Sequence, residues 1–160
     1  RTAAFMKRSA GEPFTLIVCD LDHFKRVNDT YGHGAGDEVL SIFGRLLRRI
    51  GREHDLVGRL GGEEFAIMLP DGGLAEAGRF VTELQRQVKE AGFPIPDDAE
   101  PIAASLGVAE RGGGESYARW FERADGALYR AKGEGRNRAV FVGEIPRDGA
   151  ATALATIRTT

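Results

Sequence analysis

Hydrophobic positions fall into two kinds of run along this chain. Phe14-Thr-Leu-Ile-Val-Cys19 is short, continuous and rich in branched residues, as a strand buried on both faces would be. Val39, Ile42, Phe43, Leu46, Leu47 and Ile50 instead recur at three- and four-residue steps, which draws one apolar stripe along a helix. Arg45, Arg48 and Arg49 load the C-terminal end of that helix, where its dipole favours cations, and Gly51 is a natural stop. The same periodicity predicts a helix over 74–91, with Leu74, Ala77, Val81, Leu84 and Val88 inward. A further helix is predicted over 116–132, with Tyr117, Trp120, Phe121, Ala124 and Leu128 inward. Strands are expected over 55–60, 65–69, 102–109 and 138–142, and a short polar helix from His23 to about Tyr31. Glycine and proline place turns or loops at 32–37, 70–73, 93–100 and 112–114. The order is β-α-α-β-β-α-β-α-β. Long helices between strands demand crossovers, whereas 55–69 is a hairpin. The expectation is an α/β domain with a mixed central sheet flanked by helices, of the ferredoxin-like or polymerase-palm kind.

Composition narrows the class. At 160 residues the chain suits one domain with a proper core, expected over 14–142. Residues 1–13 would be a partial helix and lead-in, and 143–160 a tail without a core pattern. A net charge of -2 supplies no broad basic field, so nucleic acid is not the expected partner. The single cysteine, Cys19, excludes an internal disulfide and reads as a small core residue. No apolar run reaches the ~20 residues of a membrane span, and no signal peptide opens the chain. A cytoplasmic location is expected. The abrupt start suggests a fragment of something longer.

The chemistry gathers around Gly61-Gly62-Glu63-Glu64-Phe65, at the tip of the hairpin. Glycine lets a ligand approach the bare backbone. Two carboxylates ~4 Å apart repel by ~4 kcal/mol at an effective dielectric of 20, and a divalent cation reverses that sign. The tip therefore suits a phosphate with a metal beside it, although a solvated turn with two surface glutamates has the same pattern. A second acidic group, Asp20-Leu21-Asp22-His23-Phe24-Lys25, ends the first strand, where a rigid strand end faces the ligand crevice. In a mixed sheet Asp20 and Glu63 could share one metal.

Six segments in order carry a resemblance. They are Asp-Leu-Asp-His-Phe-Lys at 20–25, Asn-Asp-Thr-Tyr-Gly-His at 28–33, Gly36-Asp37, the Gly-Gly-Glu-Glu-Phe tip, Ala-Ala-Ser-Leu-Gly-Val-Ala at 103–109, and Ala-Asp-Gly-Ala-Leu-Tyr-Arg-Ala-Lys at 124–132 followed by Gly135-Arg136-Asn137-Arg138. Over roughly 14–142 the chain resembles the GGDEF-domain diguanylate cyclases. The resemblance implies the nucleotidyl cyclase palm fold and the condensation of two GTP into cyclic di-GMP with release of two pyrophosphates.

It also implies roles. Asp20, the Leu21 carbonyl and Glu63 would hold Mg2+ (or Mn2+), with Glu64 helping a second ion, so that two ions serve each nucleotide site. Glu63 would also be the general base, and Lys25, Lys132 and Arg136 would contact phosphates. Asn28 and Asp37 would read guanine. A carboxylate can accept its adjacent N1–H and N2–H donors together, whereas adenine would leave Asp37 unpaired. Local alternatives are that Asn28 ends a helix and Asp37 caps the next. His33, between glycines, lies near that site in the family and reads as a structural histidine. Gly61 and Gly62 would admit the nucleotide.

Arg52-Glu53-His54-Asp55 matches the family's product-binding Arg-x-x-Asp at the family's distance from the double glycine, so Arg52 and Asp55 would hold inhibitory cyclic di-GMP. Glu83 stands where an accessory arginine is often found. Cyclisation needs two nucleotides attacking each other, which implies a transient or regulated homodimer. The upstream sensory or receiver domain typical of the family is absent from the sequence, as is its Asp-x-Leu-Thr opening. The competing readings are a catalytically silent cyclic di-GMP receptor and a different nucleotidyl-transferring palm.

Overall fold

The computed structural model describes residues 12–143. The expected N-terminal helix and most of the expected tail lie outside these residues. Nine elements follow in the predicted order: β1 (Phe14–Leu21), α1 (Phe24–Tyr31), α2 (His33–Ile50), β2 (Leu56–Gly61), β3 (Glu64–Pro70), α3 (Leu74–Glu90), β4 (Ala104–Glu110), α4 (Tyr117–Gly133) and β5 (Ala139–Val142). The strands form one sheet in the order β2-β3-β1-β4-β5. β1 runs antiparallel to both neighbours, β3 and β4, and β4 pairs with β5 in parallel. The sheet is therefore mixed, with β1 at its centre. This explains why Leu16, Ile17, Val18 and Cys19 form an unbroken apolar run: each is fully buried.

Side chains alternate across the sheet, so β1 feeds two cores. Ile17, Cys19 and Leu21 pack with Val39, Phe43 and Leu47 of α2 and with Val81 and Leu84 of α3. Leu16 and Val18 pack with Trp120, Ala124 and Leu128 of α4 on the opposite face. Trp120 is fully buried and its Nε1–H donates to the Ala109 carbonyl at 2.7 Å, so its polar group is satisfied in the core. Burial pushes the Cys19 thiol far above its ordinary value, and the negative field of Asp20 adds to the effect, which fits an inert core residue.

One expectation is corrected. The glycine-dense segment 32–37 is not a turn beyond its first residue: α2 begins at His33. Only Gly32, at φ 89°, has the left-handed conformation that breaks the chain between α1 and α2. Gly34 and Gly36 both lie within α2, and at Gly36 α2 packs closely over α1. A Cβ on Gly36 would lie 1.8 Å from the Asn28 Oδ1. Asp37 accordingly sits inside the helix and does not cap it.

Candidate active site

β1 and the β2–β3 hairpin bring the two acidic segments together. The Cα of Asp20 faces that of Glu64 on one side and Ser105 on the other. The Leu21 N–H donates to the Glu63 carbonyl at 3.3 Å, which seats the hairpin tip against the end of β1. By alternation Asp20 and Glu64 share the sheet face that α4 covers.

From α4, Lys132 donates to Asp20 Oδ2. Asp20 Oδ1 is buried with no hydrogen-bond partner in the protein. A buried acceptor left unpaired costs about 1–3 kcal/mol, and the cost is larger when the group is charged. Burial raises the Asp20 pKa; Lys132 opposes that rise, and Glu63 and Asp22 add to it. The pKa of Glu64 is raised too, first by burial and then by Asp125 and Asp20. The site thus collects negative charge that one ammonium group only partly offsets.

Among the described residues, no three or more His, Cys, Asp or Glu side chains are grouped so that they could hold a metal ion by themselves. What they supply is an incomplete shell of oxygens with one donor buried and unpaired. That arrangement fits a hard divalent cation that keeps water and phosphate oxygens among its ligands.

The tip itself is backbone-driven. Gly61 (φ 152°) and Gly62 (φ 51°) both have positive φ, with nothing within 4 Å of where a Cβ would stand. Arg59 Nε donates to the Gly62 carbonyl at 2.8 Å and braces the turn.

On the other face, Asn28 of α1 packs against Gly36, the neighbour of Asp37, so these two residues lie across one helix contact. Asp37 and His33 are exposed at the start of α2. Lys25 projects from α1 with its side chain 88% exposed and pairs with Asp29 at 2.7 Å, apart from Asp20's contacts. Arg136, exposed in the loop after α4, has a left-handed backbone at φ 64°.

Arg52 and Asp55 are held by each other. Arg52 Nη2 donates to Asp55 Oδ1 at 2.8 Å, the Arg52 N–H to Oδ2 at 2.7 Å, and Nη2 also to the Pro70 carbonyl at 3.0 Å. This fork leaves the Asp55 side chain 2% exposed. Glu83 accepts from Arg86 and Gln87, which pulls its pKa down to about 2 and fixes it as an anion.

A cavity of about 1140 Å³ opens between α1, α3 and β4, bordered by Arg26, Leu84 and Ile102 and reaching Asp22 and Arg136. It adjoins the acidic site without including Asp20 or the hairpin glutamates. Asp22 was left without a role by sequence reasoning. Its partners lie 83 and 115 residues away, at Ser105 and Asn137, and no local pattern announces them.

The sequence matches the family described as "Diguanylate cyclase, GGDEF domain" over residues 2–138. It is 45% identical over 129 residues to the diguanylate cyclase DgcP of Pseudomonas aeruginosa, covering 80% of this chain and 19% of that protein. It is 41% identical over 132 residues to DgcM of Escherichia coli K12, covering 81% of this chain and 31% of that protein. The chain thus spans less than a third of these relatives' lengths. Among solved structures, the fold matches the diguanylate cyclase SiaD of Pseudomonas aeruginosa in complex with its activator SiaC, with TM-score 0.79 and 39% identity over 86% of this chain and 53% of that one. It also matches the active GGEEF domain of a diguanylate cyclase from Vibrio cholerae, with TM-score 0.77 and 34% identity over 88% of this chain and 90% of that one.

Proposed function

This chain belongs to the GGDEF diguanylate cyclase family, and from that premise we propose that it condenses two GTP into cyclic di-GMP. The observation that carries the proposal is the placement of Asp20 opposite Glu64, with a buried, unpaired carboxylate oxygen between the hairpin tip and Lys132.

In this reading Asp20, the Leu21 carbonyl, Glu63 and Glu64 hold the family's divalent metal, here Mg2+ (or Mn2+), with two ions at each nucleotide. The metal supplies Lewis-acid stabilisation of phosphate charge. The chain's own residues do the rest. Lys132 at the end of α4 and Arg136 in the loop that follows, four positions on, bind the triphosphate as cations. Gly61 and Gly62 let it approach the backbone. Asp37 accepts guanine's N1–H and N2–H together and Asn28 binds the same base, beside His33. Glu63 receives the proton of the attacking 3′-hydroxyl. Lys25 reaches a phosphate only by leaving Asp29, an exchange that exposure makes inexpensive.

Each domain holds one GTP, so the reaction needs two domains face to face, and the homodimer is transient or regulated. Cyclic di-GMP feeds back through Arg52, which turns from Asp55 to the product and frees that carboxylate. Glu83, an anion where an arginine is often found, makes this inhibition weak. No described helix is long and apolar enough to cross a membrane.

Glu63→Gln tests the assignment. Turnover is expected to fall by at least about 100-fold while Tm stays within about 2 °C. Retained turnover would remove Glu63 from the chemistry. Wild-type protein that binds cyclic di-GMP but makes no pyrophosphate would leave the receptor reading instead.

A further inference from the structure

Asp22 lies two residues beyond Asp20, yet its carboxylate faces other partners. Oδ1 accepts the Ser105 hydroxyl at 2.6 Å, and Oδ2 accepts the Asn137 N–H at 2.9 Å. Its own N–H donates to the Ala103 carbonyl at 2.8 Å. One short side chain thus ties three chain segments: the end of β1, the start of β4, and the loop from α4 to β5.

That loop needs a tie. Gly135, Arg136 and Asn137 follow one another at φ 121°, 64° and 47°. A left-handed backbone at two successive non-glycine residues is unfavourable and persists only when surrounding contacts fix it. The Asn137 N–H is where Asp22 holds it, one residue from Arg136.

We infer that Asp22 is a positioning residue, a latch that fixes the 135–137 loop so that the Arg136 guanidinium is presented to the triphosphate. It acts through its two hydrogen bonds and not through its charge. The inference rests on the reading of Arg136 as a phosphate contact.

Asparagine separates the two modes of action. Its carbonyl can accept from Asn137 and its amide can donate to the Ser105 hydroxyl, so Asp22→Asn keeps the latch and loses the charge. Asp22→Ala loses both. The experiment uses the whole chain, with and without Arg136→Ala. It measures the affinity of a non-hydrolysable GTP analogue with Mg2+, the affinity of GMP, and hydrogen exchange at the Asn137 amide by NMR. Asp22→Ala is expected to weaken the analogue about tenfold, to leave GMP within about twofold, and to add less than about twofold in the Arg136→Ala background. The Asn137 amide should exchange faster in Asp22→Ala and as in wild type in Asp22→Asn.

The inference is overturned if Asp22→Asn is as damaging as Asp22→Ala, which would make the charge or metal ligation the role. It is equally overturned if the losses from Asp22 and Arg136 add, or if Asn137 exchange does not respond. Wild-type protein that fails to bind the analogue would defeat the cyclase reading, and the Asn137 exchange would still decide the latch.

Discussion

At the scale of single residues, the site trades stability for chemistry. Glu64 is raised by burial and by its acidic neighbours, so the folded protein holds its proton to higher pH than the unfolded chain does. Between those two values the folded state binds more protons, and stability falls as pH rises through the window. Metal-free protein should therefore lose Tm as pH climbs from about 4 toward neutrality. Glu64→Gln should flatten that slope and raise Tm by on the order of 1 °C while slowing turnover. An unchanged slope in the variant would show that Glu64 carries no such strain. Gly36 makes a separate case. A Cβ there would collide with the Asn28 Oδ1 at 1.8 Å and press on the Phe24 ring at 3.2 Å. Alanine is favoured in helices by up to about 1 kcal/mol over glycine, so Gly36→Ala should keep its Tm yet raise the KM for GTP about tenfold by turning Asn28 aside. Unaltered KM would place Asn28 outside the recognition of guanine. Neither Gly36's contact nor Asp22's could be read from sequence, since both depend on which helix or strand lies across from them.

Among the elements, the long helices and buried strands were legible because periodicity is set by which face meets the core. The strand at 14–19 and the stripe over 39–50 both lie where the pattern places them. The segment 32–37 misled because glycine is ordinarily a helix breaker, whereas Gly34 and Gly36 lie within α2, Gly36 with Asn28 of α1 packed against it. Phe80 of α3 is buried although the pattern did not select it, because the apolar arc of α3 is wider than one stripe. Gly107 in β4 shows the same logic of close approach. Its Cβ would stand 2.0 Å from the Ala124 carbonyl oxygen and 2.3 Å from the Leu128 nitrogen, both backbone atoms of α4. Only displacement of the helix can relieve that overlap. Gly107→Ala should cost about 3 kcal/mol and lower Tm by about 10 °C. Turnover should fall as well, since α4 carries Lys132 to Asp20. A thermal melt that matches wild type would mean that α4 is not seated as described.

Over the whole molecule, the placement of the site follows from topology. Because β1 lies centrally, with β3 and β4 on either side, its C-terminal end meets the hairpin tip, the start of β4 and the end of α4 at one rim of the sheet. Asp20 and Glu64, 44 positions apart in sequence, become neighbours by strand register. The mixed-sheet reading set the end of the first strand beside the hairpin tip and paired Asp20 with Glu63; the register places Asp20 opposite Glu64. The Arg52–Asp55 fork lies elsewhere, at the approach to β2 and next to Pro70, so the feedback proposed there would be separable from catalysis. Arg52→Ala should relieve inhibition by added cyclic di-GMP and leave the initial rate within about twofold; unchanged inhibition would relocate the product site. The central claim is that these carboxylates carry a metal-bound GTP that must meet a second one on another domain. The most direct measurement follows products from GTP and Mg2+ over a range of protein concentrations, for wild type and Asp20→Asn. The account predicts two pyrophosphates per cyclic di-GMP, a specific rate that rises with concentration, and a loss of at least about 100-fold in the variant. A rate independent of concentration, a mononucleotide product, or full turnover by Asp20→Asn would contradict it.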